Sequence, residues 1–333
     1  MSEVISLDYG SGGKKTSALI EKMIVPLLKN DVLSELGDSA LVEGAPKLSF
    51  STDSFVVSPC FFPGGNIGKL SVCGTVNDVA MGGGIPKYLS LSFIIEEGFE
   101  VGQLEKIIQS IGETAKKAGV SIVTGDTKVV ERGRGDGIYI NTAGIGFVKH
   151  DGLSPRKIQD GDAVLLSGTA GDHGAAVMLA RNSSLVQGNL LSDCAPLNKI
   201  AEALMDLGSD LRVLRDPTRG GVATTLCEFI EGTSLSIELD EDRIPVAPGV
   251  QSACDILGLD PLYCACEGKL LAVVHPEKAE EALEIMKRFP EGQNAAIIGK
   301  VTTAHAGRLV LKTSFGGSRV LTKLTGAQLP RIC

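Results

Sequence analysis

Apolar and polar residues alternate with period two over Leu48-Ser49-Phe50-Ser51, which predicts a half-buried strand with Thr52-Asp53-Ser54 at its end. Ile67, Leu70, Cys73, Val76 and Ala80 then recur at helical spacing along one side, with Asn66 placed to cap the helix and Gly82-Gly83-Gly84 and Pro86 to stop it after Met81. Tyr88–Glu96, Val120–Thr124 and Ile138–Val148 read as strands. Leu104, Ile107, Ile108, Ile111, Ala115 and Ala118 form the face of a helix that Gly119 ends. This alternation predicts an α/β domain over 36–150. The polar segment Lys149–Asp162, with Gly152, Pro155 and Gly161, reads as a linker.

A second domain over 160–315 repeats the alternation. Ala163–Leu166, Leu235–Leu239, Leu270–His275 and Ala295–Val301 are predicted strands; Pro196–Leu207, Val222–Glu231 and Glu277–Phe289 are predicted helices. An arm, residues 1–35, precedes both domains. Its helix over Thr16–Leu28 carries Leu19, Ile20, Met23 and Leu27, and Pro26 is expected to kink or shorten the last turn. Residues 322–333 read as a tail.

Composition narrows the function classes. The 333 residues suffice for two cores. With 41 Gly, no Trp and 4% aromatic residues, the chain favours tight turns and lacks platforms for stacking bases. A net charge of −8 argues against a nucleic-acid surface, so a bound polyanion needs local amides, a few lysines or a divalent metal. Met1–Leu7 lacks an apolar core of signal-peptide length, and no apolar run reaches membrane-spanning length, so a cytoplasmic location is expected. The eight scattered cysteines read as reduced thiols, and Cys264-Ala265-Cys266 is too isolated for a zinc site.

Candidate chemistry lies in several short motifs. Asp8-Tyr9-Gly10-Ser11-Gly12-Gly13-Lys14 is a glycine-rich loop opening a helix, suited to offer amides to a phosphate or to serve only as a flexible arm. Asp38, Asp53, Asp78 and Asp126 each sit among small residues, as in Gly37-Asp38-Ser39 and Gly125-Asp126-Thr127-Lys128. Singly such residues are turn formers or caps. Together they suit Mg²⁺ bridging carboxylates and phosphates. Lys128 is a candidate phosphate contact and Glu267 a candidate general base. In Asp216-Pro217-Thr218-Arg219-Gly220-Gly221, Asp216 caps a helix or faces a ligand, and Arg219 is placed for phosphate or carboxylate; His173 reads as a turn residue. The chain ends in Gln328-Leu329-Pro330-Arg331-Ile332-Cys333. Pro330 biases Leu329 toward extended backbone, and ten residues from Lys323 span up to roughly 35 Å, enough to carry a thiol into a cleft.

These residues resemble the HypE family of carbamoyl dehydratases, in the larger group that includes aminoimidazole ribonucleotide synthetase, selenophosphate synthetase and thiamine-monophosphate kinase. The likeness covers nearly the whole chain. It rests on Gly10-Ser11-Gly12-Gly13-Lys14, Thr52-Asp53-Ser54, Gly74-Thr75-Val76-Asn77-Asp78-Val79-Ala80-Met81, Thr124-Gly125-Asp126-Thr127-Lys128, Gly171-Asp172-His173-Gly174, Asp216-Pro217-Thr218-Arg219-Gly220-Gly221 and Pro330-Arg331-Ile332-Cys333.

The resemblance implies two PurM-like α/β domains, the N-terminal one pairing into a homodimer with a barrel-like core. It implies that a HypF-type carbamoyltransferase loads Cys333, that ATP drives dehydration of the thiocarbamate to a thiocyanate, and that a HypC–HypD-type iron scaffold takes the cyano group for nickel-iron hydrogenase. It places the nucleotide on Gly10, Gly12, Gly13, Lys14, Asp38, Asp53, Asn77, Asp78, Gly125, Asp126 and Thr127. Asp38, Asp53, Asp78 and Asp126 would act through Mg²⁺, and Cys333, Lys128 and Glu267 would be catalytic. Cys266 stands where the family is expected to carry asparagine; a thiol is a weaker hydrogen-bond partner, which bears on the orientation of Glu267. Two other readings of the residues are an ATP-dependent enzyme of the larger group acting on a small phosphorylated substrate, and a non-enzymatic thiol carrier.

Overall fold

The computed structural model describes residues 3–181 and 190–325; Cys333 and the rest of the terminal motif lie outside them. The arm contains helices α1 (Lys14–Leu19), α2 (Val25–Leu28) and α3 (Asp31–Ser34). Between α1 and α2 the chain stays helical but widens to a π-helix over Ile20–Ile24, where the Val25 N–H reaches back to the Ile20 carbonyl. Pro26 therefore does not end the helix. Its missing N–H and its ring are accommodated by a widened turn.

The N-terminal domain holds β1 (Leu48–Phe55), β2 (Phe61–Phe62), β3 (Gly65–Asn66), α4 (Ile67–Met81), β4 (Gly84–Glu96), α5 (Val101–Ala118), β5 (Ser121–Val130) and β6 (Ile138–Val148). Its main sheet has the order β1-β6-β4-β5, antiparallel except for the β4–β5 pair. β1 and β5 run longer than the apolar pattern indicated, so Asp53 and Asp126 lie within strands and not after them. The Asn66 side chain caps α4 by accepting from Gly68 N–H at 2.8 Å and Lys69 N–H at 3.1 Å, and Gly119 ends α5 in the left-handed conformation at φ 76°. α4 is not one-sided as expected, since nearly all its residues are buried. It lies against β1, β4 and β6 and also meets the second domain.

The second domain holds β7 (Ala163–Leu166), α6 (Asp172–Arg181), α7 (Asn198–Leu204), β8 (Leu211–Arg215), α8 (Gly221–Ile230), β9 (Ser236–Asp240), α9 (Pro248–Leu257), β10 (Leu271–Val274), α10 (Ala279–Lys287), β11 (Ala296–Thr302), β12 (Leu309–Lys312) and β13 (Ser318–Leu321). Its sheet order is β13-β12-β9-β11-β7-β10-β8. Val164, Leu166, Leu271 and Val273 pack with Val222, Ala223 and Leu226 of α8 on one face. Ala163, Leu165, Ala272 and Val274 pack on the other with residues of α7 and α10. Burial on both faces is why these strands read as unbroken apolar runs. The linker is docked, not loose: Ser154 N–H donates to the Arg212 carbonyl at 2.9 Å, and Arg212 pairs with buried Asp162 at 3.2 Å.

No closed barrel forms among the described residues, and no described helix is long and apolar enough to cross a membrane. The N-terminal sheet leaves the face away from α4 open, with Leu48, Phe50 and Ile94 exposed. Replacing Asn66 by Ala strands the buried Gly68 N–H and the half-buried Lys69 N–H, and urea denaturation should show a loss of about 1–2 kcal/mol.

Candidate active site

Two loops of the second domain come down on α4 and the end of β1. Asp53 of β1, Asp78 of α4, Asp216 and Arg219 of the loop before α8, and Thr218 line a cavity of about 500 Å³. The same carboxylates and Arg219 border a narrower space that Glu267 closes from the loop before β10. Glu267 is 2% exposed. Residues separated by more than 200 positions thus share one wall.

The electrostatics follow from this crowding. Burial and then the charge of Asp78 raise the carboxyl of Asp53, with Arg219 opposing. Burial, joined by Asp78 and Asp53, pushes Asp216 up to about 7. For Asp216 the Arg215 charge opposes the rise but does not outweigh burial. Asp216 does not cap α8: Gly220 occupies that position, with no side-chain bond to the helix. Ser51 of β1 donates to Asp78 at 2.7 Å and fixes its direction.

Glu267 is positioned through its main chain. Its N–H donates to Asp193 at 3.0 Å, while its carbonyl accepts from the Asn77 amide at 3.4 Å and from Ala195 N–H at 3.4 Å. Gly268 follows because a Cβ there would meet the Asp193 carbonyl at 1.8 Å. Cys266 accepts the Gly171 N–H at 3.1 Å, and its own N–H donates to the Pro217 carbonyl at 3.0 Å. The thiol thus ties the loop of Glu267 to Gly171, and the Cys266 N–H ties it to the Asp216–Arg219 loop. Asn77, expected to touch the nucleotide, is fully buried. It donates to the Ala195 carbonyl at 3.2 Å and to that of Glu267, and accepts from Leu197 N–H at 2.7 Å. It is a staple between α4 and the second domain.

Behind Glu267 lies a network the sequence reading missed. Lys269 sits 3.4 Å from Asp193 and 3.5 Å from Asp172, and Thr169 donates to Asp172 at 2.5 Å. Burial alone would depress Lys269, but the two aspartates hold it above its ordinary value. Asp172 is raised by burial and by Asp193, with Lys269 opposing. Gly-Asp and Glu-Gly-Lys spacing was the available signal. His173 is likewise no turn residue: it is buried in α6, shares a 2.7 Å hydrogen bond with Ser192 and meets Phe62 edge-on at 5.3 Å.

The four aspartates expected to share one ion separate into two places. Register pairs Asp53 with Thr142, whose row faces α4. Asp126 pairs with Ser92 in the row of Asn141 and Ser54, which faces away. Three strand spacings, about 14 Å, also separate them. Asp126 and Thr127 instead line a cavity of about 280 Å³ under the arm, with Gly37 and Ser39, the neighbours of Asp38. Among the described residues no three acidic, His or Cys side chains close on one point to hold a metal.

The glycine-rich loop crosses the same strand. Gly10 lies so near β5 that a Cβ would meet the Val129 N–H nitrogen at 2.5 Å, next to Lys128. Gly13 begins α1, with Lys14 as its first residue, and Gly12 N–H donates to Thr16 at 3.0 Å. Gly125 lies within β5, two residues before Thr127.

Family models for AIR synthase related proteins match this chain in both domains, the N-terminal model over residues 36–148 and the C-terminal one over 159–312. Carbamoyl dehydratase HypE of Bradyrhizobium diazoefficiens is 48% identical, over 99% of this chain and 96% of its own. The chain belongs to the HypE family. A crystal structure of hydrogenase maturation protein HypE in complex with ATP superposes with a TM-score of 0.94 at 46% identity, covering 98% of this chain and 99% of that one. HypE in a HypE–HypF complex superposes at 0.80 with 48% identity over 92% of this chain and 100% of that one. The two-domain architecture is thus that of HypE.

A raised folded-state pKa means that protonated Asp216 stabilises the fold. That contribution is whole below the unfolded value near 3.9 and is lost as pH rises through about 7. In the absence of divalent cations Asp216→Asn should therefore gain over the parent by up to roughly 4 kcal/mol at pH 8.5 and far less at pH 5 in urea unfolding. An equal gain at both pH values would rule out this account.

Proposed function

We propose that this protein is an ATP-dependent carbamoyl dehydratase, converting a thiocarbamate on its own Cys333 to a thiocyanate whose cyano group serves nickel-iron hydrogenase maturation. The observation that carries the reading is the joining of Glu267 to a cavity of carboxylates and Arg219 in a chain of the HypE family that ends in Pro-Arg-Ile-Cys.

In the chemical sequence, the thiocarbamate carbonyl oxygen attacks the γ-phosphorus of ATP, ADP leaves, and nitrogen gives up its first proton to form the O-phosphorylated imidate. Phosphate then departs from carbon as the second N–H proton is removed, leaving S–C≡N. Glu267 is assigned to take that proton. Arg219 supplies positive charge inside the cavity, and Lys128 is assigned to the transferring phosphoryl group, with the loop from Gly10 to Lys14 covering the phosphates. A cavity wall of carboxylates, two of them raised by burial and by one another's charge, fits Mg²⁺, which takes oxygen ligands. Asp53 and Asp78, with Asp216 on the same cavity wall, are assigned to hold the ion jointly with phosphate oxygens of the nucleotide, and Asp38 and Asp126 to the phosphate end. When bound, Mg²⁺ neutralises triphosphate charge.

The HypE–HypF complex among the relatives supports a HypF-type enzyme as the source of the carbamoyl group. A HypC–HypD-type scaffold is the proposed acceptor. The seven described cysteines are all free thiols, in keeping with a reducing cytoplasm. The open sheet face with Phe50 and Ile94 is the proposed homodimer surface, where the barrel-like core would close. Phe50→Glu should yield monomers in analytical ultracentrifugation.

Intact-mass spectrometry tests the reaction. With carbamoyltransferase, carbamoyl phosphate, ATP and Mg²⁺, Cys333 should gain a carbamoyl group and then lose one water only when ATP is present. Glu267→Gln should carry the carbamoyl group, bind ATP normally and dehydrate at least roughly 100-fold more slowly. An unmodified Cys333 beside an active carbamoyltransferase would direct the search to small phosphorylated substrates.

A further inference from the structure

The last described residues are fastened beside the cavity by a side chain that the mechanism does not use. The Tyr263 hydroxyl donates to the Thr322 carbonyl at 2.8 Å and accepts the Thr322 N–H at 3.2 Å. One phenol thus closes both main-chain groups of the residue that follows β13, as a hydroxyl with one donor and two acceptor lone pairs allows. Asp260, three residues before it, caps the same turn through Leu262 N–H at 2.9 Å and pairs with Arg319 of β13 at 2.7 Å. Two residues beyond Thr322, Leu324 lines the cavity of Asp53, Asp78, Asp216 and Arg219, its N–H on Thr224 at 3.3 Å. The chain from Tyr263 runs through Cys264 and Cys266 into Glu267, and Cys266 is bonded to the Asp216–Arg219 loop at Pro217.

We propose that Tyr263 is a positioning residue for the dehydration: it fixes the point from which the chain leaves for Cys333, at the mouth of the cavity and in register with the loop that carries Glu267. This rests on the function proposed above. From Leu324 to Cys333 there are nine residues (333 − 324), reaching at most about 30 Å. With Thr322 released, only the 3.3 Å bond from Leu324 N–H to Thr224 holds the main chain there; each time it opens, the tether lengthens to the twelve residues from Leu321 (333 − 321). The Lys323–Glu231 pair, 2.6 Å but exposed, offers little to replace the clamp. The local concentration of the thiocarbamate at the cavity falls as the tether lengthens.

The test uses full-length protein loaded with the carbamoyl group on Cys333, the loading checked by mass before ATP and Mg²⁺ are added. Tyr263→Phe keeps the ring and removes only the hydroxyl. The expected result is a single-turnover rate of water loss lowered roughly fivefold, an ATP dissociation constant within twofold of the parent, and faster amide hydrogen exchange at Thr322 and Leu324. An unchanged rate overturns the proposal, as does a parallel loss of ATP affinity, which would make Tyr263 part of the cavity wall. Should the parent itself fail to lose water, the dehydratase reading falls, and the exchange measurement still judges the clamp: unaltered protection in Tyr263→Phe refutes it.

Discussion

The amide of Asn77 is the contact on which the rest of the site depends. Its two N–H groups and its oxygen join α4 to the backbone at Ala195, Leu197 and Glu267, inside protein and away from water. A buried amide that lost these partners would cost its full desolvation, so the domains are held in one relative placement. In that placement Asp53 and Asp78 from one domain meet Asp216, Arg219 and Glu267 from the other. The residue beside Asn77 in sequence is Asp78, so the staple and one wall of the cavity share a single turn of α4.

The cavity concentrates negative charge on purpose-built supports. Ser51 aims Asp78, burial lifts Asp216, and Lys269 sits between Asp172 and Asp193 behind the Glu267 loop. Such an arrangement is poor for stability, because like charges are brought together away from water; in the proposed function, binding of Mg²⁺ with its phosphate ligand would relieve that repulsion. The glycine-rich arm and Lys128 stand on the other side of the sheet edge. The function proposed above assigns the two clusters to the two ends of the nucleotide's polyphosphate.

Period and capping made much of the fold legible. The Asn66 cap, the Gly119 stop and the apolar runs of β7 and β10 are local signals with local causes. α6 was missed because glycine and alanines obscure its periodicity, and β8 and β13 because charged residues interrupt their apolar runs, unlike the unbroken runs of β7 and β10. For the site, the sequence offered motifs but no faces. Asp53 and Asp126 look equivalent as aspartates at strand ends, yet strand register sends them to opposite sides. Asn77 reads as a nucleotide contact, and the sequence holds no sign of its bonds to Ala195, Leu197 and Glu267, which only the packing of the second domain on α4 creates.

α4 also has a history within each molecule. Its buried surface and its Asn77 amide are completed by groups 118 and 190 residues downstream. At ribosomal speeds of roughly 5–20 residues per second, the helix exists for about ten to forty seconds before its last partner is synthesised. During that interval the side of α4 that meets the second domain, with its unmatched amide, is presented to the cell. The contact that gives the finished protein its rigid cavity therefore makes the nascent chain dependent on being finished.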